Sequence, residues 1–167
     1  LVRTEHAQPA IYLVGWIALQ LLREQSQTLA FEATAGLSLG EFTALAAADS
    51  LGFEDGLRVV RRRGELMQDA CEASSGGMAA IVGLDEENVR AVCEQTGVHL
   101  ANLNCPGQIV VSGDAGKMDA ACEAAKAAGA KRAIPLPVAG AYHSPLMQPA
   151  QAGLAEALAK VGLQSPR

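Results

Sequence analysis

Aromatic residues are scarce in this sequence, with one Trp, two Tyr and three Phe among 167 residues. With so few large rings and so much Ala, Gly, Leu and Val, the balance suits helices packed on a sheet better than a β-sandwich. A basic excess is also missing. The net charge is −5, which argues against a nucleic-acid face, since that needs a positive surface. No long apolar run is present: residues 10–22 are too short to cross a membrane and are followed by Arg23 and Glu24. The four cysteines, Cys71, Cys93, Cys105 and Cys122, form no C-x-x-C pair, and no His stands near them at metal-ligand spacing. No metal site is therefore expected, and reduced thiols point to a cytoplasmic protein. There is no phosphate-binding loop, and no cofactor is expected. Finally, no signal peptide is visible and no initiator Met: Leu1 opens in the middle of a polar segment, as in a piece of a longer protein.

Half the residues are apolar, enough for one domain, or one domain with a small insert. Pro9 fits a first helical position, and Ile11, Val14, Ala18, Leu21 and Leu22 recur at helical spacing, so residues 9–24 read as a helix. Residues 29–35 are β-prone, 36–40 form a Gly-punctuated turn, and 41–48 and 53–71 read as helices. After the flexible break at Ser74-Ser75-Gly76-Gly77 the pattern becomes strand 78–82, helix 86–95, strand 98–104, strand 108–112, helix 117–128 and strand 132–136. That order is β-α-β-β-α-β, the ferredoxin-like unit. Ser144 and Pro145 then cap and open a last helix running to Val161. The fold class expected is α/β. A larger α/β subdomain (1–75 and 137–167) is interrupted by a ferredoxin-like small subdomain (76–136).

Gly36-Leu37-Ser38-Leu39-Gly40 matches G-x-S-x-G between a β-prone and a helix-prone run. In such a turn the flanking glycines avoid a Cβ clash, and the serine hydroxyl projects outward. The backbone N–H of Leu39 is aimed at an oxyanion, aided by the helix N-terminus. The bland alternative is a Gly-rich turn that binds nothing. A serine nucleophile needs a base. Of the three histidines, His6 lies in a polar stretch and His99 at a strand start. His143 lies in a loop after a strand and follows Ser38 in hydrolase-type chain order, so it is the candidate base, against a His that merely packs or caps. No Asp or Glu stands out as an orienting acid, so a Ser-His dyad is as plausible as a triad.

On a wheel of about 100° per residue, Arg58, Arg61, Arg62 and Glu65 share one arc. Arg63 falls amid the apolar arc of Leu57, Val59, Val60, Gly64, Leu66 and Met67. A guanidinium there needs an anion. The wheel leaves open whether that anion is a protein carboxylate or the carboxylate of a ligand, which Arg holds with two parallel hydrogen bonds.

Taken together, these residues resemble the malonyl-CoA:acyl-carrier-protein transacylase family and the acyltransferase domains of polyketide and fatty-acid synthases. The matching blocks are Gln8-Pro9-Ala10, Gly36 to Glu41, Arg63 to Gln68, Gly77 to Ala80, Asn102 to Gln108, and Gly140 to Met147, in the family's order and across nearly the whole chain. The larger subdomain would then be α/β-hydrolase-like, with a parallel sheet. The resemblance implies a ping-pong transfer in which Ser38 takes malonyl from malonyl-CoA and passes it to the phosphopantetheine thiol of acyl carrier protein. It makes His143 the base, Arg63 the holder of the malonyl carboxylate and Leu39 the donor of an oxyanion N–H. The Ala141-Tyr142-His143 step resembles the malonyl-type variant.

Two departures stand out. Leu37 occupies the place where the family usually has His, which implies tuning rather than loss of activity. The family's first Gly-Gln-Gly segment and its C-terminal stretch, whose carbonyl orients the His, are absent, so reduced or absent activity and an exposed apolar edge are expected. Competing readings are a serine esterase or thioesterase, which has no need of a buried Arg63, and an inactive fragment or docking module, which would leave Ser38 unlabelled. Lys117, Lys126, Lys131 and Arg132 are either a solvated face or a surface for an acidic carrier protein.

Overall fold

A computed structural model describes residues 3–26 and 28–166. The chain divides into two compact units. One comprises Leu1–Leu66 and Ala152–Arg167, the other Met67–Gln151. Helix α3 (Phe53–Glu72) and helix α6 (Pro149–Leu158) each run through a boundary.

The first unit is helical among its described residues. Helix α1 covers Thr4–Gln25 and so begins before Pro9, which lies inside it. The earlier start has a local cause. Thr4, Gln8 and Tyr12 form a buried stripe at helical spacing, and the Gln8 amide donates to Thr4 Oγ1 at 2.7 Å, tying the first turn together. The apolar residues that signalled this helix are not buried: Ile11, Val14, Leu21 and Leu22 are all more than half exposed. The period identifies the helix, but a 3.6-residue repeat by itself carries no information about what each face packs against. Helix α2 spans Gly40–Ala47. Tyr12, Leu39, Phe42, Ala46, Leu51, Val59 and Val60 form the core of the unit, with Trp16 and Leu154 packed against it. Phe53 stacks on Tyr12 and Trp16 at centroid distances of 5.6 and 5.0 Å.

The expected strand at 29–35 is irregular in the structure, and the unit has no strand among its described residues. A strand exists only when its N–H and C=O groups pair with a neighbour, and the described residues of this unit offer none. The parallel sheet expected of the larger subdomain is thus not formed within them. Exposed apolar residues of this unit lie on α1 and at Leu29, Phe31, Leu37 and Leu163.

The second unit holds a four-stranded antiparallel sheet of β1 (Gly76–Val82), β2 (His99–Cys105), β3 (Gln108–Asp114) and β4 (Arg132–Pro135), in the order β2-β3-β1-β4. Helices α4 (Glu86–Thr96) and α5 (Met118–Ala127) connect them. β1 and β3 pair from Gly76↔Asp114 to Val82↔Gln108. Alternation by two sends Ala79, Ile81, Ile109 and Val111 to the face that carries Val89, Val92, Met118, Ala121, Cys122 and Ala125. α4 begins at Asp85, whose carboxylate accepts the Asn88 N–H at 2.9 Å. It ends at Gly97, with φ of 68°. No helix among the described residues is long and apolar enough to cross a membrane.

Candidate active site

The turn before α2 is unusually tight. A Cβ on Gly36 would lie 2.0 Å from the carbonyl carbon and oxygen of Gly40, so the backbone at 36 touches the backbone at 40. Gly40 is different: a Cβ there meets nothing within 4 Å. The expectation that both flanking glycines are sterically required therefore holds for Gly36 and not for Gly40. Between them, Gly40 N–H donates to Leu37 C=O at 2.8 Å, and Ser38 has φ of 54°. A non-glycine residue in the left-handed region costs about 1–3 kcal/mol. That strain sits on the serine of the G-x-S-x-G turn. Leu39 is buried at the N-cap of α2, and Leu37 is exposed.

Arg63 explains the anomaly on the helical wheel. It is only 9% exposed. One guanidinium nitrogen, Nη2, donates to Ser38 Oγ at 2.9 Å, and the other, Nη1, donates to Gln8 Oε1. The Phe42 ring lies 5.7 Å from the guanidinium carbon. Burial lowers the Arg63 pKa from its ordinary value, while the charge of Glu41 acts in the opposite direction. Arginine nonetheless stays protonated near neutral pH. Both hydrogen-bond acceptors are neutral groups, so the cation keeps its capacity for an anion. Close approach makes the arrangement possible. A Cβ on Gly64 would lie 2.9 Å from Glu5 Cα and 3.0 Å from Thr4 C=O, so α1 and α3 meet nearly backbone to backbone within this unit.

Gln8 lies in one of the blocks that carry the family resemblance, and its role becomes visible only in the fold. It is buried, accepts from Arg63 and donates to Thr4. The signal was available: a polar amide on the Thr4–Gln8–Tyr12 stripe needs a partner once that stripe faces inward.

His143 belongs to the second unit, in the loop after β4. It is exposed and has φ of 59°. Ser144 follows as a cap: its hydroxyl donates to Ala141 C=O at 2.7 Å and accepts from Leu146 N–H at 3.2 Å. The helix expected from Pro145 onward is broken. A 3-10 turn, Pro145–Met147, is followed by α6 from Pro149. Pro149 has no N–H to continue the first turn, so the helix restarts with Pro at its first position. His6 and His99 are exposed. The structure thus brings Ser38, Leu39, Arg63 and Gln8 together in one unit and carries His143 on the other. Among the described residues no group of three His, Cys, Asp or Glu side chains is placed to hold a metal.

Residues 1–167 match the family described as Acyl transferase domain. The chain belongs to that family. It is 48% identical over 163 residues to the malonyl CoA-acyl carrier protein transacylase of Bacillus subtilis, covering 95% of this chain and 51% of that protein. It is 42% identical over 168 residues to the enzyme of the same name from Escherichia coli, covering 98% and 54%. The acyl transferase fold is shared with the transacylase from Coxiella burnetii at a TM-score of 0.92 and 39% identity, over 98% of this chain and 53% of that one. It is shared also with a malonyl-transacylase solved in complex with its type II polyketide-synthase acyl-carrier protein, at 0.91 and 37%, over 98% and 54%. The chain spans about half the length of the curated relatives it matches.

Proposed function

We propose that this chain is the part of a malonyl-CoA:acyl-carrier-protein transacylase that carries the nucleophile, the carboxylate clamp and the base. The observation that supports it most directly is the buried Arg63 guanidinium 2.9 Å from Ser38 Oγ, at a strained turn. An acyl group joined to Ser38 Oγ places its own substituents beside that cation. A short acyl group ending in a free carboxylate is the substituent a buried guanidinium rewards. The names of the relatives, and the carrier protein bound to one of the solved neighbours, point the same way.

In the proposed reaction Ser38 Oγ attacks the thioester carbonyl of malonyl-CoA while His143 takes the hydroxyl proton. The N–H of Leu39 is one donor to the oxyanion. The C–S bond breaks and coenzyme A leaves with the proton from His143. The phosphopantetheine thiol of acyl carrier protein then attacks malonyl-Ser38, giving its proton to His143, and Ser38 is regenerated. No cofactor takes part, and the cytoplasm is the proposed site. The β-α-β-β-α-β run at 76–136 is proposed as a ferredoxin-like insert in an α/β-hydrolase-like subdomain made of 1–75 and 137–167. The strand order β2-β3-β1-β4 supports the first half of that statement.

The test is intact-mass measurement after incubation with malonyl-CoA or acetyl-CoA. The expected result is a malonyl adduct on Ser38 that is weak or absent with acetyl-CoA and lost in Arg63→Ala. Free malonate accumulating instead would favour a hydrolase. Absence of both adduct and turnover would overturn the catalytic reading.

A further inference from the structure

The loop bearing His143 is held at points that the proposed reaction does not use. The last turn of α3 carries Cys71, which is buried. A Cβ on Gly140 would lie 2.3 Å from Cys71 Sγ and 3.0 Å from its Cβ, so the loop backbone rests on this cysteine. The next residue is pressed against the start of β1: a Cβ on Gly76 would come within 2.4 Å of the Ala141 nitrogen. The Tyr142 side chain then hydrogen-bonds back to the Cys71 thiol. Burial raises the pKa of that thiol more than the tyrosine lowers it, so the neutral SH is the partner. Beyond His143, the Ser144 hydroxyl closes on Ala141 C=O. All these residues belong to the same unit. His143, between two anchored neighbours, has a positive φ, a conformation that persists only where the surroundings over-determine it.

We infer that Cys71, through the Gly140 contact and the Tyr142 hydrogen bond, is a positioning residue for His143, fixing the position and direction of its imidazole. The inference rests on the reading of His143 as base. Sulfur suits the position: it is large enough to hold the Gly140 backbone up, yet it still offers a hydrogen-bonding group to Tyr142.

The experiment compares Cys71→Ala, Cys71→Ser, Tyr142→Phe and the Cys71→Ala/Tyr142→Phe double variant in the intact protein. Malonyl transfer rates and the His143 ring resonances by NMR are both recorded. A base displaced by a fraction of an ångström is expected to lower kcat about tenfold with little change in KM. Cys71→Ala and Tyr142→Phe should each show that loss, the double variant little more, and Cys71→Ser should recover most of it, because one shared interaction is being removed. The His143 resonances should move in Cys71→Ala and stay near their places in Cys71→Ser. Unchanged kcat and unmoved His143 resonances in Cys71→Ala would overturn the inference, as would fully additive losses. Tyr142→Phe opens no cavity, so a loss caused by core loosening at Cys71→Ala alone would also overturn it. His143→Ala is measured in parallel. Transfer that survives it would sink the assignment of the base, while the NMR comparison still judges the seat of the loop.

Discussion

The two units satisfy their backbones in different ways. In the sheet-bearing unit, every strand finds a neighbour within the unit, and α4 is closed at both ends by Asp85 and Gly97. In the helical unit, the segment at 29–35 has β-prone residues and no strand, and Ser38 keeps a left-handed backbone. Its center is also polar: Arg63, Gln8 and Thr4 are buried beside Tyr12 and Phe42. The sheet-bearing unit is built mostly from locally consistent choices, with the left-handed backbone of His143 as its exception, while the helical unit stores strain at Ser38 and a buried cation at Arg63. The difference teaches where local rules serve stability and where they give way to a site.

That comparison can be broken first at Gly36. Its Cβ would fall inside the Gly40 backbone, so Gly36→Ala is expected to destabilise by about 3 kcal/mol or more. Gly40→Ala, with open space around it, should change stability by no more than about 1 kcal/mol. Denaturant unfolding of the two variants decides the matter: equal effects would mean that the tightness of the turn has been misjudged. Next comes the polar center. Gln8→Ala removes an acceptor from the buried Arg63, and a loss of about 2 kcal/mol is expected, read as a lower unfolding midpoint. A neutral effect would show that water replaces the amide and that the center is less closed than its burial implies. The smallest effect belongs to the other unit. Asp85→Ala should cost about 1 kcal/mol, the usual worth of an N-cap, and leave Ser38 acylation unchanged. A loss of acylation there would show that the cap of α4 does more than hold its own helix.

Much of the candidate site was legible because its residues break local rules visibly. Gly36 and Ser38 announce themselves through the G-x-S-x-G spacing, and Arg63 through a charge on an apolar arc. Gln8 was harder. A glutamine near the start of a helix reads as solvated until the burial of its stripe is known. Likewise the helical spacing of Ile11 and Val14 does not say what they meet, and both are exposed. The break at Pro149 was overlooked because Ser144 and Pro145 already supplied a satisfactory helix start upstream.

By itself, the sequence determined the local geometry: where helices and strands of the β-α-β-β-α-β run lie, where the sharp turn falls, and which residues carry unusual chemistry for their positions. These follow from side-chain period, caps and glycine, which act over a few residues. Only the tertiary structure decided what each face meets. It set the polar stripe of α1 against α3, gave Arg63 two neutral partners and put Cys71 under the loop of His143. Contacts of that kind join residues far apart in the chain. No local period records them, because burial is a property of the packed chain and not of the segment.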